Sequence, residues 1–398
     1  MSGQDTSHIM PSYNRADLQF ASGDGAWLTT TDGARYLDFG SGVAVNTLGH
    51  AHPKLVAALT HQAEKLWHVS NLYRIPEQEA LADTLCAHSF ADLVFFANSG
   101  AEAAEGMIKT MRKYHATNGH PEKVTLIGFQ GAFHGRTLAA LAAAGNPATL
   151  DGFGPVPDGF VQCDRFDIAA VEALIDDMTA GILIEPVQGE GGVRNVGTAF
   201  LRQLRALCDR HGILLGLDEV QCGIGRTGKL FAHEWADITP DVMAVAKGIG
   251  GGFPLGAVLT TKAVGTAMQP GTHGSTYGGN PLACSVGSAV LGEVLSDGFL
   301  GHVIDMATYF RQHLARLIDE NADVFCGLRG EGLLVGLECV PPNTQVVAAL
   351  RAHKLLSVGA GDNVVRLLPP LNIEKHDIDH ALAAIEAACA EMRSKDEG

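Results

Sequence analysis

The 398-residue sequence has few basic residues and no cysteine pair at metal-binding spacing. Its 28 Lys and Arg are outnumbered by 44 Asp and Glu, so the formal net charge is −16. This balance argues against nucleic acid or an anionic membrane surface as a partner, because both require a basic face. The eight cysteines occur singly, so neither a zinc site, nor any other metal site, nor a disulfide framework is expected. Reduced thiols in a cytoplasmic protein are the simplest interpretation.

Long apolar runs are also missing. No stretch approaches the roughly 18 consecutive apolar residues of a membrane helix. The N-terminal region lacks the basic segment and following apolar run of a signal peptide, so neither a membrane segment nor secretion is expected. Hydrophobic residues nevertheless make up 46% of the chain. This content and the length predict two or three domains, or one large α/β core with an annexe.

Apolar strand patterns alternate with helix patterns through the middle of the chain, as in the strand Leu93–Ala97 and the helix Ala101–His115. The sequence also predicts a glycine-rich loop from Gly40 to Pro53 and helices at Gly135–Ala144, Ile168–Met178, Thr198–His211 and about residues 299–320. Continuous apolar strands separated by helices predict an α/β fold, with a mostly parallel sheet covered by helices on both faces. The pattern changes after Asn280 to that of a smaller α+β domain. We therefore expect an N-terminal arm and part of the small domain in residues 1–50, a large domain in residues 51–280 and the C-terminal small domain in residues 281–398.

The stretch Asp241–Pro254 ends a short apolar strand with one lysine, Lys247, followed by a glycine-rich turn. Burial would lower the pKa of this amine and make it nucleophilic, which suits a lysine that forms a Schiff base with an aldehyde. The glycines would let a ligand approach closely. Taken alone, a surface lysine at a strand end is the more common case.

Other strand ends carry polar residues too. Asp218 follows a buried strand, where ligands bind in open α/β sheets, although a capping aspartate is equally plausible. Ser99 and Glu102 fit a helix capping box, and the same helix start, with Gly100 and Ala101, could hold a phosphate. Arg366 lies inside an apolar strand and should be paired or bind an anion.

Three further segments offer chemistry that is weak in isolation. Glu185 and Glu190 fall at one sheet edge, where an ordinary acidic loop is the alternative. Phe133-His-Gly-Arg136 offers an aromatic face and an arginine, or only a core ring and a solvated cation. A second glycine-rich turn near Thr276 adds hydroxyl groups. Together, a phosphate site, an aspartate for a pyridine nitrogen, an aromatic platform and a Schiff-base lysine are the parts that pyridoxal 5′-phosphate requires.

At this point the sequence resembles the class III, fold-type I, pyridoxal-phosphate-dependent aminotransferases from about Tyr13 to its end, and among them the bacterial acetylornithine branch. The resemblance rests on these stretches: Tyr36-Leu-Asp-Phe, Gly49-His-Ala-His-Pro, Leu66-Trp-His-Val-Ser-Asn-Leu-Tyr, Asn98-Ser-Gly-Ala-Glu, Phe133-His-Gly-Arg-Thr, Glu185-Pro-Val-Gln-Gly-Glu-Gly-Gly, Asp218-Glu-Val-Gln, Gly225-Arg-Thr-Gly-Lys and His273-Gly-Ser-Thr-Tyr-Gly-Gly-Asn-Pro-Leu-Ala.

The resemblance implies a role for each cofactor residue. Lys247 would be the Schiff-base lysine and proton carrier, and Asp218 the partner of the pyridine nitrogen. The other roles cover the rest of the cofactor: Gln221 near the ring hydroxyl, Val220 and Phe133 on the two ring faces, Ser99, Gly100 and Ala101 at the phosphate, and Thr276 at the phosphate of the neighbouring subunit. A homodimer with shared active sites is therefore implied.

The resemblance also implies the substrate contacts. Arg366 would clamp the α-carboxylate of glutamate, and Glu190 would cover Arg366 while an ω-amine substrate is bound. Arg136 would hold the distal carboxylate, and Tyr13 would help to bind substrate. Gly42 stands where ornithine aminotransferases tend to carry a bulky aromatic residue, which leaves room for an N-acyl group.

The implied reaction moves the δ-amino group of N2-acetylornithine to 2-oxoglutarate and gives N-acetylglutamate 5-semialdehyde and glutamate, a step of arginine biosynthesis. Other ω-amine substrates stay open: succinylornithine, N-succinyl-diaminopimelate, ornithine and 4-aminobutyrate. A cofactor-sensing regulator would need a basic DNA-binding extension, which the acidic chain lacks. A nucleotide-binding oxidoreductase built on Gly248-Ile-Gly-Gly-Gly would need an early βαβ context that is missing.

Overall fold

The computed structural model describes residues 8–396. Its strands are β1 (Phe20–Asp24), β2 (Trp27–Thr30), β3 (Arg35–Asp38), β4 (Leu93–Ala97), β5 (Thr125–Phe129), β6 (Phe160–Cys163), β7 (Thr179–Ile184), β8 (Val187–Gln188), β9 (Arg194–Asn195), β10 (Leu214–Asp218), β11 (Val242–Val245), β12 (Gly256–Thr260), β13 (Phe325–Glu331), β14 (Leu334–Cys339), β15 (Leu355–Leu356), β16 (Val358–Ala360) and β17 (Val364–Leu367). Its helices are α1 (Ser41–Ala44), α2 (Pro53–Ala63), α3 (Pro76–Ala87), α4 (Gly100–Thr117), α5 (Leu138–Ala144), α6 (Pro147–Leu150), α7 (Ile168–Glu172), α8 (Thr198–His211), α9 (Lys262–Gly265), α10 (Pro281–Val294), α11 (Phe299–Glu320), α12 (Asn343–Ala352) and α13 (Lys375–Asp396).

The central sheet has seven strands in the order β4-β12-β11-β10-β7-β5-β6. β12 runs antiparallel to both of its neighbours, whereas the remaining pairs are parallel. Strands β5, β7, β10 and β11 are buried along their whole length, which explains their unbroken apolar sequences. The mostly parallel α/β sheet expected from the sequence is confirmed, with β12 as the exception. Its parallel strands direct their carboxyl ends, and the residues that follow them, to one edge.

Besides the central sheet, the described residues form the two-stranded sheet β8-β9 and two four-stranded sheets. The first four-stranded sheet has the order β1-β2-β3-β15, and the second has the order β13-β14-β17-β16. β15 from the C-terminal part pairs in parallel with β3 from the N-terminal part. Ala26, Leu37 and Phe39 also pack in one apolar cluster with residues of α11, β14, β17 and α13, separate from the main cluster around the central sheet. The N-terminal segment therefore joins the C-terminal core.

Several element bounds differ from the sequence prediction. The predicted helix Gly135–Ala144 begins only at Leu138, because Thr137 accepts a hydrogen bond from the Ala140 N–H group and caps it. The predicted helix Ile168–Met178 ends at Glu172. Strand β13 was not predicted, since its glycines and charged residues break the apolar alternation. The helices Thr198–His211 and Phe299–Glu320 have the predicted bounds.

The glycine-rich segment between residues 40 and 53 was predicted as a loop, yet it contains the short turn α1. All four of its residues have positive φ angles: Ser41 46°, Gly42 62°, Val43 63° and Ala44 62°. Such a left-handed turn is costly for side chains other than glycine. Asp38 supports its start, because the Asp38 Oδ1 atom accepts hydrogen bonds from the N–H groups of Gly40 and Ser41, each at 2.9 Å.

Within residues 8–396, no single helix is long and apolar enough to cross a membrane. The helices α10 and α11 meet that test of length and composition only as a pair, and the pair is bent by 69°. The inner faces of both helices belong to the apolar clusters of the fold.

Candidate active site

Lys247 lies directly beyond the carboxyl end of β11, in a short 3₁₀ turn that continues to Gly250. Its φ angle is 49°, a conformation that a lysine rarely adopts and that the surroundings must enforce. The Thr47 hydroxyl donates a hydrogen bond to the Gly248 carbonyl at 2.9 Å and fixes this turn. A Cβ atom on Gly251 would come within 2.7 Å of Leu55 and Val290, so the close packing behind the lysine requires glycine there.

The Lys247 side chain faces a cavity of about 240 Å³. Burial lowers the pKa of its amine, and the Arg366 cation lowers it further, whereas the carboxylates of Glu190 and Asp218 oppose the shift. A lower pKa increases the fraction of neutral, nucleophilic amine near neutral pH. Lys247 is thus a half-buried residue in the wall of a cavity and not a fully solvated lysine at the surface.

Asp218 ends β10, and only 3% of its surface is exposed. Its Oδ2 atom lies 2.8 Å from His134 Nδ1, and its Oδ1 atom accepts the Val220 N–H group at 3.0 Å. Burial alone would lower the pKa of the His134 imidazole, but its hydrogen bond and charge interaction with Asp218 raise that pKa overall. His134 thus holds the Asp218 carboxylate in one orientation. His134 Nε2 is buried and has no hydrogen-bond partner within the described part of the chain.

Glu185 follows β7, is 5% exposed and lines the same cavity. Its Oε2 atom accepts a hydrogen bond from the Phe133 N–H group at 2.9 Å. Burial raises the pKa of Glu185 to about 8; the Asp218 carboxylate adds to the increase, while His134 opposes it. This carboxyl is therefore mostly protonated at pH 7, although free glutamic acid side chains are ionised there.

The start of helix α4 forms the other end of the cavity. The Ser99 hydroxyl accepts the Glu102 N–H group at 3.2 Å, so the predicted serine cap is present. The predicted capping box is incomplete, because Glu102 Oε2 accepts the N–H group of Asn98, at 2.6 Å, and not that of Ser99. Gly100 and Ala101 line the cavity with the first turn of the helix. A Cβ atom on Gly100 would lie 2.8 Å from Val220 Cγ1, so this approach requires glycine. The N-terminus of a helix as long as α4 attracts an anion, so this end of the cavity suits a phosphate group.

Arg366 reaches the site from β17 of the C-terminal sheet and is 1% exposed. Its Nη1 atom lies 2.7 Å from Glu190 Oε1 and donates to Gln221 Oε1 at 3.0 Å, while Nη2 donates to the Gly359 carbonyl at 3.2 Å. The guanidinium is thus paired with a carboxylate, as expected for an arginine in an apolar strand. Among residues 8–396, Arg366 Nε finds no hydrogen-bond acceptor.

The cavity brings together most of the residues that the sequence singled out. Its lining includes Gly100, Ala101, Phe133, Arg136, Glu190, Asp218, Val220, Gln221 and Lys247, and Ser99 caps the adjoining helix. The Arg136 guanidinium carbon stands 5.3 Å from the centroid of the Phe133 ring. His134 and Glu185 lie within the motifs noted in the sequence, but no role could be assigned to either of them there. Their positions in the sequence could have pointed to them, because His134 follows Phe133 and Glu185 follows the buried strand β7.

Two predicted site residues lie elsewhere in this single chain. Thr276 lines a different, larger cavity of about 810 Å³, together with His68 and Asn71. Tyr13 is 76% exposed. Among residues 8–396, no group of three or more His, Cys, Asp or Glu side chains is arranged to hold a metal ion.

The residues present fit pyridoxal 5′-phosphate. The start of α4 suits its phosphate, and the buried Asp218 carboxylate suits a protonated pyridine nitrogen. Phe133 and Val220 supply apolar surfaces for the two faces of a ring. Lys247 supplies an amine of lowered pKa for an aldehyde.

Comparison with known proteins agrees with this chemistry. The family model "Aminotransferase class-III" matches residues 10–389. Acetylornithine aminotransferase 1 of Bradyrhizobium diazoefficiens is 56% identical over 394 residues, which cover 99% of this chain and 97% of that protein. A crystal structure of N-acetylornithine aminotransferase from Stenotrophomonas maltophilia is 35% identical with a TM-score of 0.85, covering 96% of this chain and 98% of that one. An ornithine aminotransferase structure from Toxoplasma gondii, described with pyridoxal phosphate partially occupying the active site, is 31% identical with a TM-score of 0.93 and covers 98% and 94%.

Proposed function

Because the chain belongs to the class III aminotransferases, we propose that it transfers the δ-amino group of N2-acetylornithine to 2-oxoglutarate, giving N-acetylglutamate 5-semialdehyde and glutamate. It is a pyridoxal-phosphate-dependent transaminase, as members of this family are. The acetylated substrate and a place in arginine biosynthesis are supported by the relative that shares 56% identity along 99% of the chain. Ornithine is the second candidate substrate, supported by the fold of the ornithine aminotransferase with a TM-score of 0.93.

The observation that carries this proposal is the ion pair between Glu190 and Arg366, 2.7 Å apart beside Lys247. One site must accept both a terminal amine, which brings no carboxylate to the reacting carbon, and glutamate, which brings one. A buried arginine suits glutamate but would repel the ammonium group of the first substrate. Glu190 neutralises Arg366 while that substrate is bound and moves aside for the α-carboxylate of the second.

When bound, the cofactor supplies an aldehyde that takes up the amino group and a protonated ring that withdraws electrons from the substrate carbon. Asp218, oriented by His134, would hold the proton on the ring nitrogen. Phe133 and Val220 would pack against the two faces of the ring, and Gln221 would lie near the ring hydroxyl. The serine and the helix start, Ser99, Gly100 and Ala101, hold the phosphate.

Lys247 has two tasks in this proposal. Its amine would hold the cofactor covalently in the resting enzyme, and, once freed, the same neutral amine would move the proton at the reacting carbon. Its lowered pKa suits both tasks, because only the neutral amine attacks an aldehyde or accepts a proton. Arg136 would bind the distal carboxylate of glutamate, and Tyr13 would contact the substrate.

We also infer a cytoplasmic homodimer in which Thr276 binds the phosphate of the partner subunit. Large apolar side chains are exposed around the Thr276 cavity: Leu72 by 88%, Tyr73 by 67% and Tyr277 by 62%. Exposed apolar groups on this scale favour burial against a second copy. We further infer a division into a large unit, residues 51–280, and a smaller one, residues 281–398 with part of residues 1–50. The two separate apolar clusters support two units, although α10 packs in the cluster of the central sheet.

The test is a single-turnover titration of the cofactor-loaded enzyme, followed by the absorbance of the cofactor. N2-acetylornithine, succinylornithine, N-succinyl-diaminopimelate, ornithine and 4-aminobutyrate are compared as amino donors, with glutamate as the common second substrate. We expect N2-acetylornithine to react with the highest kcat/KM and ornithine to be slower. Faster reaction of ornithine or 4-aminobutyrate would refute the assignment while leaving the aminotransferase family unaffected.

A further inference from the structure

The segment that carries Glu190 is held between two turns from different parts of the fold. We call residues 189–193 the gate loop. Its Glu190 carbonyl accepts the Gly361 N–H group at 2.8 Å. A Cβ atom on Gly191 would overlap the Gly131 carbonyl, and a Cβ atom on Gly192 would lie 2.9 Å from Asp362 Cβ. The gate loop therefore touches the turn that precedes Phe133 on one side and the turn at residues 361–363 on the other.

Three charged side chains fasten the gate loop to the second turn. Asp362 Oδ2 accepts hydrogen bonds from Arg194 Nε at 2.6 Å and from Arg329 Nη1 at 3.0 Å. Arg329 Nη1 also donates to the Gly192 carbonyl at 3.2 Å, and Arg329 forms an ion pair with Glu338. Arg194 follows the gate loop directly, so these contacts hold both the loop and its exit. We call Arg194, Arg329 and Asp362 the anchor.

Asp362 is built into this position at a conformational cost. Its φ angle is 53°, and the next residue, Asn363, has a φ angle of 57°. Burial would raise the pKa of the Asp362 carboxyl, yet the hydrogen bonds from Arg194 and Arg329 lower it overall, so the group is ionised at neutral pH. A strained residue that stays ionised between two arginines is held there by its partners.

The anchored turn leads straight into the strand that bears Arg366. Asp362 stands four positions before Arg366, and β17 begins at Val364. The backbones of Glu190 and Arg366 are consequently held to one and the same turn. From this arrangement we propose that Arg194, Arg329 and Asp362 are positioning residues, which keep Glu190 over Arg366 and set how strongly it competes with a substrate carboxylate.

The consequence is a change in the balance between the two substrates. The anchor gives Glu190 a high local concentration beside Arg366, so an incoming carboxylate must displace it. A loosened gate loop would let the carboxylate bind more tightly and would leave Arg366 uncovered more often when an ω-amine is present. This inference rests on the proposed pairing of Glu190 with Arg366, and the experiment separates the two.

The experiment measures the Kd of glutarate for the cofactor-loaded enzyme by titration calorimetry. Glutarate is a five-carbon dicarboxylate without the keto group of 2-oxoglutarate, so it binds without reacting. The variants are Asp362→Asn, Glu190→Ala and the double variant, with Asp323→Asn as the control. Asp323 forms a matched ion pair with Arg393, at 2.7 Å and 2.9 Å, but on the α11–α13 side of the fold. If the Asp362→Asn variant fails to fold, Arg194→Gln tests the anchor instead, because it removes a partner of Asp362.

We expect Asp362→Asn to lower the Kd of glutarate by about threefold, the scale of a partly exposed ion pair. Glu190→Ala should lower it further, and Asp362→Asn should add nothing in that background, whereas Asp323→Asn should match the wild type. A wild-type Kd for Asp362→Asn, or an undiminished effect of Asp362→Asn in the double variant, would overturn the anchor but not the gate. An unchanged Kd for Glu190→Ala would overturn the proposed pairing itself, and the anchor with it.

Discussion

Glu185 provides a prediction whose sign and size follow from its burial. Its pKa is about 8 in the folded protein, compared with its ordinary value of 4.5. Below pH 4.5 the carboxyl is protonated in both the folded and the unfolded state and imposes no cost. Between pH 4.5 and about 8 the folded protein keeps a proton that the unfolded chain has released, so the free energy of unfolding falls as the pH rises.

The substitution Glu185→Gln removes this proton linkage while keeping an oxygen for the Phe133 N–H group. At pH 7 the cost of the wild-type carboxyl corresponds to 2.5 pH units above 4.5 at about 1.4 kcal/mol each, or about 3 kcal/mol. We therefore expect Glu185→Gln to stabilise the cofactor-free protein by about that amount at pH 7. The advantage should shrink towards pH 5 and level off above pH 8.

The assay is urea unfolding of the cofactor-free protein between pH 5 and 8.5, at one protein concentration because the chain is proposed to dimerise. Glu64→Gln is the control, since Glu64 is an exposed glutamate at the end of α2. The free energy of unfolding of the Glu64→Gln variant should differ from that of the wild type by the same small amount at every pH. A difference between Glu185→Gln and the wild type that stays constant across this range would refute a neutral, buried Glu185.

Three other substitutions test the site directly. Lys247→Ala should abolish turnover, and borohydride treatment should leave no cofactor covalently attached; normal transamination by this variant would contradict the role of the lysine. Glu190→Ala should slow the ω-amine half-reaction more than the glutamate half-reaction, as measured by cofactor absorbance, because Arg366 is then uncovered; equal effects would argue against the gate. His134→Phe removes a hydrogen bond to a charged group, worth about 1.5–3 kcal/mol. Turnover should therefore fall roughly ten- to hundredfold, with weaker cofactor binding in equilibrium dialysis, and wild-type values for both would show that Asp218 needs no partner.

Much of the central sheet could be predicted because its strands are buried on both faces. Even the edge strand Leu93–Ala97, buried only at Phe96 and Ala97, has the predicted bounds, because its apolar run is unbroken. The antiparallel direction of β12 could not be predicted, because strand pairing depends on packing between residues far apart in sequence. β13 was missed for a local reason, since Gly327 and Gly330 interrupt its pattern.

The site divides in the same way. Lys247 and Asp218 could be singled out from the sequence because each is an ionisable group at the end of an apolar strand. The roles of Glu185 and His134 could not be predicted from the sequence, because they depend on β5, β7 and β10 being neighbours in the sheet. Only that order brings the two side chains next to Asp218, where one orients the carboxylate and the other is driven to its neutral form.

The charges of the site bear on the chemistry of the lysine. Seven ionisable side chains meet in or beside the cavity: Lys247, Arg366, Arg136, His134, Asp218, Glu185 and Glu190. Four of them form two ion pairs, His134 with Asp218 and Arg366 with Glu190. Within residues 8–396, Lys247, Glu185 and Arg136 form no salt bridge. Burial shifts the pKa of Lys247 and of Glu185 towards the neutral form. The carboxylates of Glu190 and Asp218 favour the protonated amine of Lys247, but burial and the Arg366 cation outweigh them, so the lysine can present a neutral amine to the cofactor.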